Sequence, residues 1–408
     1  KVNSANSGRA MTDKDRDYRK RFYEADQKRV FDKRNTLSQI LGSFTTLNEQ
    51  LARLHGYENV FESTLLKDDI TPDVYAALID GTLEHIDAIG RKNEIWRKAL
   101  DVETLYSYDT GVPLIQGDAP KYTYEQAQEI LKDALAPLGE DYIQILQMAF
   151  DDAWIDVYPG ESKLTGAYSG GSIEIHPFVL LNFTDDADSV GTLAHELGHA
   201  AHQYLSQQTQ ESAFDREVTA FASEVASTTN ERLVARYLID HAQSDEEKLY
   251  HLLTELTNIE GTFFGQVAYA DFERKMHRVA EEGGSFTADA IDQLYTETRD
   301  RFNPGLTYPE LASSRWARVP HFYYNYYVYI YAVDAAVSCQ IMQGIESGDQ
   351  AMIEAYHAFL RAGNSKSAPE LFAQLGVDVT DPTYIEPLIA YYNELLDQIE
   401  ALLPSVNA

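Results

Sequence analysis

Apolar residues recur at helical spacing along most of the chain. Residues 15–54 place an apolar side chain every three or four positions among charged ones, which is typical of an amphipathic helix. Thr71, Pro72 and Asp73 form a helix start signal that opens a second such run to about residue 100. The pattern predicts further helices at 123–135, at 142–157, and from residue 186 to the tail.

One segment departs from this pattern. Between residues 163 and 183, alternating and β-branched residues flank a Ser-Gly-Gly turn, which predicts a strand pair whose second half, 178–183, is partly buried. We find no repeat, no low-complexity stretch and no dividing linker, although a connector with glycine and proline covers 106–116. We therefore predict a mainly α fold and a single domain over 1–408, with helices at 1–160, a small β-sheet at 163–183 and helices at 186–408.

Composition narrows the possible partners. The chain has 408 residues, of which 44% are hydrophobic, and 65 acidic against 33 basic side chains give a net charge of −32. Nucleic acids and anionic membranes require a basic face, so we expect neither as a partner. Cys339 is the one cysteine and cannot form an internal disulfide, and no segment resembles a signal peptide or an uninterrupted membrane span. These features favour a cytoplasmic location, although the chain begins at Lys1 and not at Met.

The strongest chemical signal is the run from His195 to His199, which fits the pattern HExxH inside a predicted helix. Histidines four residues apart lie on one face of a helix, one turn apart, as two ligands of a tetrahedral ion require. Glu196 lies to one side, where its carboxylate can act on water and not as a ligand. The alternative is a surface helix with two solvated histidines, but a separate apolar stripe on the same helix favours the metal site.

A catalytic zinc requires a third protein ligand. The longer pattern HExxHxxGxxH does not fit, because position 202 is His and position 205 is Leu. Residues 215–233 read as one helix on which Glu217, Glu224 and Glu231 are spaced by seven and share a face. Spacing alone leaves each of the three open as the ligand, and it also allows an ordinary solvated face.

The motifs together resemble the oligoendopeptidase F branch of the thimet oligopeptidase type of zinc peptidases. The runs that carry the resemblance are HELGHAAH, EVASTTNE, RWARVPHFYYNYYVYIYA from residue 315, and GAYSGGSIEIHPFVLLNF from residue 166. The resemblance covers essentially the whole chain. It implies His195, His199 and Glu224 as zinc ligands, Glu196 as general base, and Glu231 as a residue that supports a ligand.

The tyrosines of the third motif can be interpreted in two ways, as packing residues or as hydrogen-bond donors. Most tyrosines between residues 323 and 331 are expected to pack a helix. A peptidase also needs neutral donors for the developing oxyanion, and the resemblance implies His321, Tyr326 and Tyr329 in that role. The spacing of the two tyrosines allows both to point into one cleft if the segment is helical. This sequence lacks the Gly-Gly pair that other branches carry after the histidine.

The strand segment suggests how a substrate is held. An exposed strand edge beside the zinc could pair with an extended peptide through backbone hydrogen bonds. The residues that we assign to this edge are Gly166, Ala167, Tyr168, Gly170 and Gly171. The alternative is a plain hairpin, and we interpret His176, next to a proline, as a structural histidine.

The resemblance implies a helical zincin-like catalytic body with the small sheet at its active-site cleft. We expect a metalloendopeptidase that binds one Zn²⁺ per chain and cleaves internal bonds of short, unfolded peptides with water and Glu196 as base. The alternatives are a metallo-carboxypeptidase or other exopeptidase of the same fold, and a non-catalytic zinc- or peptide-binding fragment. Family members usually carry a further helical lobe before the region that matches residue 15, and we expect this chain to lack that lobe.

Overall fold

The computed structural model describes residues 7–115, 119–172 and 174–406, which fall into two compact units. The first unit contains residues 7–115 and 264–329, and the second contains residues 119–263 and 330–406. Parts of the predicted helical regions, of the 106–116 connector and of the strand segment lie outside the described residues, at 1–6, 116–118, 173 and 407–408. The single catalytic domain stays a prediction.

The first unit is helical. Its helices are α1 (Ser7–Met11), α2 (Arg16–Phe31), α3 (Arg34–Leu54), α4 (Val60–Leu65), α5 (Pro72–Glu84), α6 (Asp87–Ala99), α12 (Gly265–Glu281) and α13 (Ala288–Phe302). One of its hydrophobic clusters joins α3, α12 and α13 through buried residues such as Leu41, Phe272 and Ile291. Trp316 completes this core and donates its indole N–H to Asp292 Oδ1 at 2.7 Å.

The second unit contains the remaining helices and the sheet. Its helices are α7 (Tyr124–Leu135), α8 (Glu140–Asp151), α9 (Ala187–Thr209), α10 (Ser223–Asp240), α11 (Asp245–Ile259), most of α14 (Val328–Glu346), α15 (Gln350–Ala362), α16 (Ala368–Gln374) and α17 (Glu386–Val406). Helix α9 packs against α7, α8, α10 and α15, and against two strands of the sheet. Residues along it such as Val190, Leu193 and Leu197 are at most 1% exposed, so the predicted apolar stripe is a core face.

The sheet has three short strands among the described residues: β1 (Ile155–Asp156), β2 (Tyr168–Gly170) and β3 (Phe178–Leu180), in the order β1-β3-β2. Strand β3 pairs with β1 in parallel and with β2 antiparallel, with Ser169 opposite Val179. The predicted strand pair is present, but the tight Ser-Gly-Gly turn is wrong, because Gly170 is still in β2 and the connection extends over 171–177. The sheet lies against α9, as expected for a sheet beside the site.

Several predicted helices are shorter than the pattern suggested. The run 15–54 is two helices that meet at Asp32 and Lys33, and 71–100 is likewise divided between α5 and α6. The predicted helix 142–157 ends with α8 at Asp151, because its last residues form β1. Apolar spacing was kept across these breaks, so periodicity did not reveal them. The prediction of a mainly α fold with a small sheet is confirmed.

One described helix, α14, is long and apolar enough to cross a membrane by length and composition. Of its most apolar 18-residue window, 78% is buried within the protein. Such burial is what a core helix shows.

Candidate metal centre

The site is built on α9, whose start is fixed by a side-chain cap. The Asp186 side chain accepts the backbone N–H of Ser189 at 2.8 Å, and the Thr184 hydroxyl donates to Asp186 Oδ2 at 2.7 Å. A carboxylate at this position satisfies an N–H that the helix itself leaves without an acceptor. The helix then runs unbroken through His195 and His199, which places both imidazoles on one face.

Helix α10 approaches α9 closely at Gly198, inside the HExxH run. A Cβ on Gly198 would lie 2.6 Å from the carbonyl oxygen of Ala226 and 2.6 Å from the Cα of Ser227. Both opposing atoms belong to backbone, so no side-chain rotation could make room for it. Glycine at this position is therefore what lets the two helices come close enough to share a site.

This approach brings His195, His199 and Glu224 together. The Oε2 atom of Glu224 lies 3.4 Å from Nε2 of each histidine, and the two Nε2 atoms are 3.2 Å apart. One ligand atom from each residue lies within 4.8 Å of the other two, which makes this the one described group of three or more such residues able to hold a metal ion. Two imidazoles and one carboxylate form the donor set of many catalytic zinc sites.

Electrostatics within the cluster favour binding of a cation. Burial raises the pKa of the Glu224 carboxyl, but hydrogen bonding and charge from His199 and His195 outweigh it and lower that pKa to about 2. Burial lowers the pKa of His195, but Glu231 and Glu224 together raise it to about 9. Because ligand histidines must be neutral, an ion that binds here would displace the proton of His195.

Glu196 lies beside the cluster and is 5% exposed. Its Oε2 atom has no hydrogen-bond partner among the described residues. Burial raises its pKa, against the opposing charges of His195 and His199. A buried carboxylate oxygen without a partner is costly unless something else binds it, so this atom is available to water or substrate.

Glu231 lies two turns after Glu224 on α10. Its Oε1 atom is 3.4 Å from Nδ1 of His195, on the side of the ring away from Glu224. A carboxylate in this position fixes the ring orientation of a metal-binding histidine. Glu231 thus lies within reach of the His195 ring, and its supporting role stays a prediction.

Glu217 is separated from the other two glutamates because the predicted helix 215–233 is wrong at its start. Helix α10 begins only at Ser223, after a short 3-10 turn, and Glu217 lies in the preceding loop with its side chain exposed. It is absent from the described cluster of metal-binding side chains. His202 is also absent from that cluster; it is 3% exposed and burial lowers its pKa to about 3.

The aromatic segment belongs to the first unit and is not a continuous helix. Asn325 and Tyr326 have φ values of 50° and 55°, and α14 begins only at Val328. The helical spacing argument for Tyr326 and Tyr329 is therefore wrong, because only Tyr329 is helical. The roles of Tyr326, Tyr329 and His321 in catalysis stay predictions. His321 is half-buried, and its ring stacks on that of Tyr327 with the ring centroids 6.0 Å apart.

Tyr326 is 1% exposed, and its ring lies 4.6 Å from that of His277. Its backbone N–H donates to Glu273 Oε1 at 2.8 Å, and its hydroxyl lies 3.4 Å from Nη1 of Arg274. Tyr329 is 0% exposed, and its ring centroid lies 5.2 Å from that of Tyr75. Both tyrosines thus belong to the core of the first unit.

The predicted substrate edge lies in the second unit, near the metal cluster. Among the described strands, β2 pairs on one side only, and Tyr168 at its start is 52% exposed. A cavity of about 440 Å³ opens beside His199. Its lining includes Ser169, Gly171, Gln203, Arg216 and Glu217. Gly166 and Ala167 line a neighbouring cavity of about 320 Å³.

His176 packs as a structural histidine. Its ring stacks on Trp154 at 5.1 Å with an interplanar angle of 3°, and its Nδ1 atom lies 2.8 Å from the carbonyl oxygen of Pro177.

Two residues that support Glu224 were missed at the sequence level. The Ser227 hydroxyl, one turn later on α10, donates to Glu224 Oε2 at 2.9 Å. Asp334 on α14 accepts the backbone N–H of Glu224 at 3.1 Å. The i, i+3 spacing of Glu224 and Ser227 is a signal that could have revealed the first. No local pattern could have revealed Asp334, which is remote in sequence.

Comparisons with known proteins point to one family of peptidases. A model of peptidase family M3 matches residues 9–390. The chain is 32% identical over 398 residues to oligopeptidase PepF of Bacillus subtilis, which covers 97% of this chain and 59% of that relative. It is 33% identical over 395 residues to group B oligopeptidase PepB of Streptococcus agalactiae, which covers 96% of this chain and 65% of that relative.

A crystal structure of oligoendopeptidase-F from Enterococcus faecium superposes with a TM-score of 0.79 and 27% identity, over 99% of this chain and 67% of that one. The chain thus spans about two thirds or less of the length of these relatives.

Proposed function

The chain belongs to peptidase family M3, and we propose on that basis that it is a zinc-dependent metalloendopeptidase that hydrolyses internal bonds of short, unfolded peptides. Membership confirms the resemblance to oligoendopeptidase F that the motifs predicted. The observation that carries the proposal is the meeting of His195, His199 and Glu224 beside the buried carboxylate of Glu196. Names of relatives support oligopeptides as the substrate class.

The residues fit one Zn²⁺ per chain. His195 and His199 would supply Nε2 and Glu224 would supply Oε2, because these three atoms face one another. When bound, Zn²⁺ supplies Lewis acidity toward the scissile carbonyl and lowers the pKa of water. Glu231 would hold the His195 ring through Nδ1.

Glu196 is the general base in this proposal. Its Oε2 atom takes a proton from the attacking water and later returns it to the nitrogen of the leaving amine. Burial supports this role, because a raised pKa brings the carboxyl nearer to the pH at which it must both accept and donate. Hydrogen-bond donation to the developing oxyanion is assigned to Tyr329, Tyr326 and His321, as the family pattern implies.

Strand β2 is proposed to hold the substrate backbone. Its one-sided pairing leaves an edge for strand addition by an extended peptide, and such contacts do not depend on side-chain identity. Of the five residues assigned to substrate binding, Tyr168 and Gly170 lie in β2, Gly166 and Ala167 precede the strand, and Gly171 follows it. We also propose a cytoplasmic location and no nucleic-acid or membrane partner.

The test is a zinc titration combined with hydrolysis of a short quenched peptide by this 408-residue chain. We expect saturable zinc binding, zinc-dependent cleavage, and internal product ends when fragments are mapped by mass spectrometry. Release of only terminal residues would favour an exopeptidase. Zinc binding without hydrolysis would favour a binding protein, and efficient digestion of a long denatured protein would contradict the size limit.

The Glu196→Gln variant separates chemistry from binding. Its amide keeps the size of the side chain but cannot take a proton, so we expect kcat to fall by about 10²- to 10⁴-fold with zinc retained. Glu224→Ala is the matched variant that should lose zinc and activity together. Near wild-type turnover by Glu196→Gln would contradict its assignment as base.

A further inference from the structure

The helix that carries Glu224 begins without a cap of its own. The N-cap residue of α10 is Ala222, whose side chain accepts no N–H from the first turn. Donors in the first turn of a helix require acceptors from elsewhere, and a helix end without them frays. Glu224 lies in this first turn, although the carboxylate of a metal ligand must be held in a precise position.

Asp334 supplies the missing acceptor from a different helix. Its Oδ2 atom accepts the Glu224 N–H at 3.1 Å, and the residue is 0% exposed. Its Oδ1 atom has no hydrogen-bond partner among the described residues. A buried carboxyl group held mainly by one backbone N–H is costly if packing is its only purpose, because an apolar residue would fill the space without desolvation of a polar group.

The other end of Glu224 is held as well. Ser227 donates to Oε2, and the Nε2 atoms of His195 and His199 each lie 3.4 Å from the same atom. Asp334 thus fixes the backbone while Ser227 fixes the carboxylate.

We propose that Asp334 is a positioning residue for the metal site: through the backbone N–H of Glu224, it fixes the first turn of α10 so that the Glu224 carboxylate faces the two histidines. Asp334 acts without contact to the ion. This inference rests on the proposed zinc site. Loss of a residue that orients a metal ligand commonly weakens metal binding by about 10- to 100-fold.

The chain offers a matched control on the same helix. Ser338 lies one turn after Asp334 on α14, is 0% exposed, and its hydroxyl accepts Nε–H of Arg232 from α10 at 3.1 Å. Ser338→Ala therefore removes a buried hydrogen bond between the same two helices at a point two turns away from Glu224. If packing of α14 on α10 were all that mattered, both substitutions would act alike.

The experiment measures zinc affinity by competition with a chromophoric chelator for the wild type, Asp334→Ala, Asp334→Asn and Ser338→Ala. We expect Asp334→Ala to weaken zinc binding by about 10- to 100-fold. Asp334→Asn should fall between it and the wild type, because its amide oxygen still accepts the N–H, whereas its NH2 group replaces the Oδ1 atom that has no hydrogen-bond partner among the described residues. Ser338→Ala should bind zinc within about twofold of the wild type. The visible absorption of bound Co²⁺ should change in the Asp334 variants only.

Equal losses in Asp334→Ala and Ser338→Ala would overturn the inference, as would wild-type affinity in both Asp334 variants. If Asp334→Ala does not fold, Asp334→Asn decides: a reduced affinity with an altered Co²⁺ spectrum supports the inference, and unchanged values overturn it. Failure of the wild type to bind zinc would remove the proposed metal site together with this inference. Unchanged binding in the variants would remove this inference alone.

Discussion

The metal cluster and the aromatic segment differ in how local their geometry is. His195 and His199 lie on one unbroken helix, so their mutual position follows from four residues of regular backbone. Tyr326 and Tyr329 are three residues apart, but Tyr326 has a positive φ and lies before the start of α14, so the two tyrosines do not share a helix face. The same kind of spacing argument therefore succeeded in one region and failed in the other.

The difference shows when the spacing of residues predicts the position of their side chains. Inside a regular helix, the separation of two residues in sequence fixes their separation in space. Across a turn, side-chain direction depends on individual φ values, and those depend on contacts such as the one from the N–H of Tyr326 to Glu273. Side-chain directions can therefore be predicted from the spacing of a motif on a helix, whereas for a motif on a turn they must be taken from the structure.

The largest effect is expected at the contact between α9 and α10. Gly198→Ala places a Cβ against backbone at 2.6 Å, so the helices must separate, and we expect a loss of about 3 kcal/mol in unfolding free energy together with weaker zinc binding. Gly191→Ala is the control on the same helix, since a Cβ there meets nothing within 4 Å. It should be neutral or stabilise by up to about 1 kcal/mol. Denaturant unfolding of both variants checks this, and equal stabilities would contradict the close approach.

A smaller effect tests the aromatic segment. If the Tyr329 hydroxyl stabilises the oxyanion, Tyr329→Phe should lower kcat by about 100-fold with zinc affinity unchanged. Tyr323, which is 37% exposed and packs edge-on against Phe44, is the control in the same segment, and Tyr323→Phe should keep full activity. Steady-state kinetics on one peptide decides. Equal kcat values for the two variants would leave Tyr329 as a core residue only.

Next in size is the support of His195 by Glu231. Glu231→Gln removes the charge that faces Nδ1, and we expect zinc affinity to fall by about tenfold, measured by chelator competition. Asp240→Asn, which changes an ion pair with Arg236 at the far end of α10, should leave zinc affinity unchanged. A similar loss in both variants would indicate a long-range effect of charge and not orientation of the ring.

The smallest effect concerns the turn itself. Asn325 has a φ of 50°, where alanine is disfavoured and glycine is not, so Asn325→Ala should be less stable than Asn325→Gly by about 1 kcal/mol. Both variants lose the same contact, from the Asn325 side chain to Asn48, and their difference isolates the backbone. Chemical denaturation measures it. A more stable alanine variant would show that the turn relaxes to negative φ.

The fold class was predictable from helix periodicity, and the common helix face of His195 and His199 from a motif on one helix. Spacing alone left Glu217, Glu224 and Glu231 open as the third ligand, and only the family resemblance implied Glu224.

The breaks at Asp32 and at Asp152 were not predictable, since apolar residues continue on both sides of each. Asp334 was not predictable either, because its partner is a backbone N–H 110 positions away in sequence. Sequence patterns report which face of an element is apolar, but not which distant group satisfies a particular donor.

The contact at Gly198 has a consequence for how the five-residue motif is searched for and transplanted. A pattern that fixes only two histidines and a glutamate treats the position before the second histidine as free. In this chain that position is Gly198, and the backbone of α10 fills the space that a side chain there would need. A search that requires glycine there would return fewer chance matches, and a designer who grafts the motif onto a new scaffold would have to supply the crossing helix with it.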